Sequence, residues 1–541
     1  MVVSPQADAT RIGVQVLEDG GNAVDAAVAV SLALSVSDGH HSGLGGGGFL
    51  LVRLADGRSF AVDARETAPA AAHRDMYVAE GVPEHASRIG ALSVGTPGLV
   101  AGLALARERW GTRPWSELVA PAARLAEDGF EIGRNHARSM QFWQRFVGAE
   151  RFPGTAAIQL DGGGAPAEGW RLVQRDKAAT LRRLAAEGPD LFYRGDIAAA
   201  IAEAVQDRGG ILTAADLASY EARVREPIRG TYRGFDVLSF PPPSSGGIAL
   251  VEILNVLEGY DLGPLGAGSS ASLHLVAEAM KLAFADRAAY LGDSDFVDVP
   301  VAGLVAKDYA AGLRARINPP RWRRAPWTWG RSEVALRVEG PGEPASGGGT
   351  THFSVTDAEG NAVAVTQTIN LILGSGITVP GTGIVLNDEM DDFSIAPDTP
   401  NAFGLVDTTG ANAVAPGKRP LSSMTPTVLV KEGKPFMVTG SPGGPRIITT
   451  TLLSILNVID WEMDVMESVS APRFHHQWVP DRVLVEPAFS RDVVEALEAR
   501  GHRVEVSPRN WSSAQAIVVD PESGRHTGGS DPRSDGLALG P

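Results

Sequence analysis

The stretch GGGTTHFSVTDAEGNAVAVTQTIN, residues 347–370, decides the fold. Both halves alternate with period two, and Phe353, Val355, Val363 and Val365 supply a core face. Between the halves, Ala358-Glu359-Gly360 reads as a three-residue loop with glycine at the left-handed position such hairpins use. In that register Asp357 faces Asn361, and counting back along both strands brings Thr350 opposite Thr368. The open end of the hairpin then joins two threonine hydroxyls.

A glycine run that ends at a strand-initial threonine has a chemical meaning. If the Gly349–Thr350 bond breaks, Thr350 gains a free α-amine with a pKa near ~8, which suits a general base for its own hydroxyl. The hairpin alone fits an ordinary linker entering a strand better, because threonine is common in strands. A second segment, Gly440-Ser441-Pro442-Gly443-Gly444-Pro445-Arg446, is a turn whose glycines expose adjacent backbone N–H groups, the donor type that stabilises a tetrahedral oxyanion.

The rest of the chain bounds the possibilities. It has 541 residues, 44% of them hydrophobic and 21% charged, which excludes wholesale disorder. With 63 glycines and 36 prolines it favours many tight turns over a helical bundle. The net charge is −16 and no basic cluster rises above it, so no nucleic-acid partner is expected. The absence of cysteine removes thiol nucleophiles, thiolate metal sites and disulfides. No run approaches the roughly 20 apolar residues of a membrane span. The first residues, MVVSPQADAT, lack the basic and apolar regions of a signal peptide, which reads as cytoplasmic for the chain as written, while a processed or truncated start leaves a periplasmic or secreted location open.

Gly20-Gly21-Asn22 precedes a small-residue segment, Ala23 to Val36, expected to be a buried helix. Gly43, Gly45 and Gly48 spell GxGxxG, but an apolar strand-like run follows them instead of a helix, so close backbone approach explains them better than a dinucleotide. Leu273, Val276, Met280 and Phe284 form a helical stripe. Residues 319–349 lack periodicity and suggest an exposed break, and the basic patch Arg321-Trp322-Arg323-Arg324 reads as solvated linker. Neither His40-His41 nor His475-His476 sits at a recognised metal-ligand spacing, and no metal or organic cofactor is implied.

Together with Pro380-Gly381-Thr382-Gly383, Asn387-Asp388-Glu389-Met390-Asp391-Asp392-Phe393-Ser394 and Pro420-Leu421-Ser422-Ser423-Met424, these segments resemble the γ-glutamyltranspeptidase (glutathione hydrolase) family over nearly the whole chain. The resemblance implies an α+β fold, a four-layer αββα sandwich of the N-terminal-nucleophile hydrolase type. It implies a proenzyme that cleaves itself between Gly349 and Thr350 into residues 1–349 and 350–541, two subunits that remain one intertwined folding unit. Thr350 would be the nucleophile, Thr368 its hydrogen-bonding partner, and Gly443 and Gly444 the oxyanion hole. Arg65, with Ser422 and Ser423, would grip a substrate α-carboxylate. Asn370, Glu389 and Asp392 would hold the α-ammonium. Residues 400–418 would form a lid closed by Phe403, an aromatic without the hydroxyl often found there.

The implied reaction is cleavage of glutathione or another γ-glutamyl compound through a γ-glutamyl-threonyl ester, passed to water, an amino acid or a peptide. Two rivals stand beside it: an acylase of the same superfamily acting on a glutaryl-type amide, and an inactive homologue that only binds. The first need not keep the ammonium contacts. The second need not keep Thr350, Thr368 or the paired glycines.

Overall fold

Strand Gly47–Arg53 shows why the molecule must be layered: Phe49 and Leu51 point to one side, Leu50 and Val52 to the other, and all four are fully buried. A sheet apolar on both faces needs cover on both. The computed structural model, which describes residues 1–317, 349–396 and 399–541, supplies that cover. The basic patch at 321–324, and all of the proposed break except Gly349, lie outside the described residues.

The first sheet has seven antiparallel strands in the order Leu537–Leu539, Val2–Ser4, Gly349–Thr356, Ala362–Asn370, Gly47–Arg53, Ser59–Ala64 and Arg223–Arg225. The second has six: His526–Ser530, Gln515–Val519, Lys434–Thr439, Thr427–Lys431, Phe235–Ser239 and Ile228–Tyr232. The sheets pack face to face through Phe49, Leu51, Ala364, Phe240, Val428 and Val438, with Phe49 and Phe240 stacked at 4.0 Å. Helix Ala23–Ser37 lies against the outer face of the first sheet, and helices Gly246–Leu257, Ser270–Tyr290 and Arg446–Ile459 against that of the second. The layers therefore run αββα. Strands from both sides of Thr350 are present in each sheet, interleaved in the first and side by side in the second.

The local signals explain the elements. Asn22 accepts from the backbone N–H groups of Val24 and Asp25 while Asp25 accepts from that of Asn22, a capping box that starts helix Ala23–Ser37. All fifteen of its residues are buried, which its Ala, Val and Ser side chains permit. The glycines that follow run into a strand, and at Gly46 an added Cβ would stand 2.0 Å from the Thr368 carbonyl. The glycine lets these strands meet behind the hairpin's open end. Among the described residues no helix is long and apolar enough to cross a membrane.

The hairpin has the expected register: Thr368 pairs with Thr350 and Val363 with Val355, and Gly360 turns with φ 94°. A bulge follows, so that Asn370 pairs with Gly349. Phe353, Val355, Val363 and Val365 face the helix layer. The alternate residues His352, Ser354 and Thr366 are buried too, under the second sheet, where alternation alone leaves a solvated face.

Candidate active site

The hairpin's open end is a small hydrogen-bond relay. The Thr350 and Thr368 hydroxyl oxygens lie 3.0 Å apart. Thr368 Oγ1 donates to the Gly349 carbonyl at 2.6 Å and accepts from the Asn370 N–H at 2.8 Å. A hydroxyl has one proton to give. With that proton on Gly349, Thr368 accepts from Thr350 and draws the Thr350 proton toward itself. The bulge at Asn370, with φ 75°, makes this possible by turning its N–H onto the Thr368 oxygen. Asp388 fixes the same loop: its carbonyl accepts from Asn370 Nδ2 at 3.0 Å and its carboxylate from the Leu371 N–H at 2.9 Å. His352, two residues from Thr350, is no base. Burial holds it down at about 3, and its Nδ1 pairs with the Thr366 hydroxyl at 2.9 Å.

At the other end of the cavity stands Arg65, wholly buried at the end of strand Ser59–Ala64. Its guanidinium pairs with Glu389 through Nη1 and with Asp392 through Nη2 at 2.5 Å, while Nε donates to the Pro420 carbonyl at 3.1 Å. Glu66 lies 3.8 Å from Nη1. Burial opposes the charge on Arg65, but Glu389, Asp392 and Glu66 outweigh it and hold the group above its ordinary value. For the acids burial dominates. It raises Glu389 and Asp392, with Arg65 as the main opposing influence, and pushes Glu66 up to about 8.

Ten residues named from the sequence, Thr350, Thr368, Arg65, Asn370, Glu389, Asp392, Ser422, Ser423, Gly444 and Phe403, line one cavity, together with Leu405, Met424 and Ile447. Gly349 is held by Thr368, and Gly443 adjoins Gly444 at the start of helix Arg446–Ile459. Gly443 and Gly444 have φ of 130° and 58°, and a Cβ on them would strike Ser512 Oγ at 2.2 Å and the Phe403 ring at 2.6 Å. Neither position tolerates a side chain. Phe403 thus caps the paired glycines, and its carbonyl is held by Gln477 Nε2 at 3.1 Å. Ser423 Oγ and Glu389 Oε2 are buried without a hydrogen-bond partner, which suits groups that await a ligand.

The resemblance assigns Arg65 to a substrate carboxylate and Glu389 and Asp392 to its ammonium; in the structure the three side chains are in direct contact. Buried charges neutralise one another when nothing else does. Asp391, beside Asp392, is buried as well and accepts from Ser87 Oγ at 2.6 Å. Sequence reasoning missed Arg287, a buried residue whose Nε donates to Ser245 Oγ at 3.1 Å and whose charge faces Asp392. It missed Asn401, 3.4 Å from Asp392, and Asn412, whose Nδ2 donates to the Asp392 carbonyl at 2.6 Å. None of the three carries a local signal. Asp388 was in plain view beside Glu389.

Four layers in αββα order, with the cavity opening where the hairpin ends, define the N-terminal-nucleophile hydrolase fold. The Gamma-glutamyltranspeptidase family profile matches residues 9–540, and the chain belongs to that family. The glutathione hydrolase proenzyme of Escherichia coli (strain K12) is 47% identical, over 100% of this chain and 91% of that protein. The acylase ACY 1 proenzyme of Pseudomonas sp. (strain SE83) is 41% identical, over 100% of this chain and 93% of that protein. Among solved structures, cephalosporin acylase from Bacillus halodurans superposes with a TM-score of 0.87 at 29% identity, covering 100% of this chain and 95% of that one.

Proposed function

We propose that this protein is an autoprocessed γ-glutamyl transferase and hydrolase that cleaves glutathione and related γ-glutamyl amides. The observation that carries the reading is a single cavity with a paired threonine hydroxyl at one end and a buried Arg–carboxylate cluster at the other. Maturation comes first. Thr350 Oγ1 attacks the Gly349 carbonyl carbon, which the Thr368 hydroxyl polarises, and the Gly349–Thr350 C–N bond breaks. The ester is hydrolysed, leaving a carboxylate on Gly349 and a free α-amine on Thr350. Residues 1–349 and 350–541 stay together because each sheet contains strands of both.

In turnover the α-amine takes the Thr350 hydroxyl proton and the oxygen attacks the γ-carbonyl of the donor. The N–H groups of Gly443 and Gly444 receive the oxyanion. The proton passes to the leaving amine, and the γ-glutamyl ester is then transferred to water, an amino acid or a peptide. Arg65, with Ser422 and Ser423, takes the donor's α-carboxylate, while Asn370, Glu389 and Asp392 take its α-ammonium. Because Arg65 and the acids are paired beforehand, a zwitterion enters by exchanging the internal pairs of Arg65 with Glu389 and Asp392 for pairs with its own two charges. A donor with the carboxylate alone leaves the acids without a cation, and buried unpaired charge is costly.

Comparison of γ-glutamyl- and glutaryl-p-nitroanilide tests the reading. The γ-glutamyl substrate is expected to be favoured by roughly two orders of magnitude or more in kcat/KM, as for sites built to bind a polar group the competitor lacks. Asp392→Asn should narrow that gap by slowing the γ-glutamyl substrate most. Equal kcat/KM in the wild type would instead support a glutaryl-type acylase.

A further inference from the structure

Behind the hairpin, on the face away from Thr350, lies a cluster the proposed reaction does not use. Helix Ala23–Ser37 ends at Asp38, and the turn after it folds His40 and His41 back onto that carboxylate. His41 Nδ1 is hydrogen-bonded to Asp38 Oδ1 at 3.1 Å, a contact an ion would replace, His40 Nδ1 stands 3.7 Å from the same oxygen, and one donor atom from each of the three residues lies within 4.8 Å of the others. Two ligands about 2.1 Å from a tetrahedral ion stand about 3.4 Å apart, between the two distances seen here.

We infer that Asp38, His40 and His41 form a binding site for one divalent transition-metal ion of the zinc class. The second, independent observation is His40 itself. Its side chain is 1% exposed, and neither ring nitrogen has a hydrogen-bond partner. A buried imidazole ordinarily finds at least one. Here the ring is stacked on His136 at 4.0 Å and held with its nitrogens unsatisfied, as a ligand position requires. Two imidazoles and a carboxylate suit zinc, and His41, with 20% of its side chain exposed, gives the ion access and an open position for water. The groups facing the cluster are Thr351 and Gln6, which donate to Asp38, and His136 and Lys177 beside His40, with Lys177 Nζ held by the Ser35 carbonyl at 2.9 Å.

The spacing Asp38, His40, His41 matches no metal motif. It is the turn that gathers them. The site is tied to both catalytic strands. Asp38 accepts from Thr351 Oγ1, the His41 carbonyl from the Ile369 N–H at 3.2 Å, and the His40 carbonyl from the Leu373 N–H at 2.8 Å. Thr351 and Ile369 are the chain neighbours of Thr350 and Thr368. A bound ion therefore braces the back of the hairpin and raises thermal stability.

The test uses the full-length protein stripped with a chelator. Titration with Co²⁺ should give visible absorption of low-symmetry coordination saturating at one ion per chain, and Zn²⁺ should displace it and raise the thermal midpoint. His41→Gln, at the part-exposed position, and His40→Gln should both abolish the absorption and the Zn²⁺-dependent rise. His274, Glu278 and His502 form the other close group of metal-ligand side chains among the described residues, although His274 Nδ1 and His502 Nε2 are already hydrogen-bonded at 2.8 Å. His502→Gln should therefore leave the absorption unchanged. Failure of the wild type to retain an ion, full retention in His41→Gln, or loss in His502→Gln would each overturn the assignment.

Discussion

At one end of the cavity Thr350 and Thr368, 18 residues apart in the chain, meet through the ladder of a single hairpin. At the other, Arg65 meets Glu389 and Asp392 across 324 and 327 residues. The first end is neutral and its geometry is set by local register. The second is charged, pays for burial through raised carboxylate pKa values, and exists only once the whole sandwich has closed. The hydroxyl end should therefore fail by losing chemistry, and the charged end by losing stability and selectivity.

That contrast can be broken experimentally. Thr350→Ala removes the reacting oxygen, and turnover should fall to background in a p-nitroanilide assay. Residual activity within tenfold of wild type would move the nucleophile elsewhere. Arg65→Leu leaves Glu389 and Asp392 buried without their cation and should cost about 3–5 kcal/mol, the penalty of breaking a buried pair. Denaturant unfolding checks this, and a loss under 1 kcal/mol would mean that the acids are already neutral without Arg65. Thr368→Ala should slow maturation by roughly tenfold to a hundredfold, from the loss of about 1–3 kcal/mol of hydrogen bonding. Unchanged cleavage would remove the relay.

A further test separates the two ends by pH. Glu66 has its folded pKa raised from the ordinary 4.5 to about 8 by burial. The folded state then binds its proton more tightly than the unfolded state. The stability this gives is full below 4.5 and is lost as pH rises toward about 8. Glu66→Gln should flatten the fall in thermal midpoint across that window. His352→Gln should act in the opposite sense and only below about 6.5, because His352, held down from the ordinary 6.5 to about 3 by burial, takes up its proton there only in the unfolded state. A Glu66→Gln variant whose midpoint keeps the wild-type dependence on pH would contradict the assignment for Glu66.

The same contrast explains what was legible. Gly360 and the flanking alternation gave the register that pairs Thr350 with Thr368, because both depend on residues close in sequence. The bulge at Asn370 was not legible, since nothing local demands φ 75° there. The αββα order and the members of the charged end came through family resemblance, not through periodicity. Even then the contact of Arg65 with Glu389 and Asp392 was unforeseen, because a list of ligand contacts is silent about what the same groups do to one another. Arg287 and the turn at Asp38, His40 and His41 are long-range or turn-dependent products, and spacing rules could not anticipate them.

The most direct test of the account is the intact mass of the purified wild-type protein, with N-terminal sequencing of its smaller piece. The account predicts two polypeptides, the smaller beginning Thr350-Thr351-His352, and a single uncleaved chain in Thr350→Ala. A fully active protein whose Gly349–Thr350 bond is intact would contradict it.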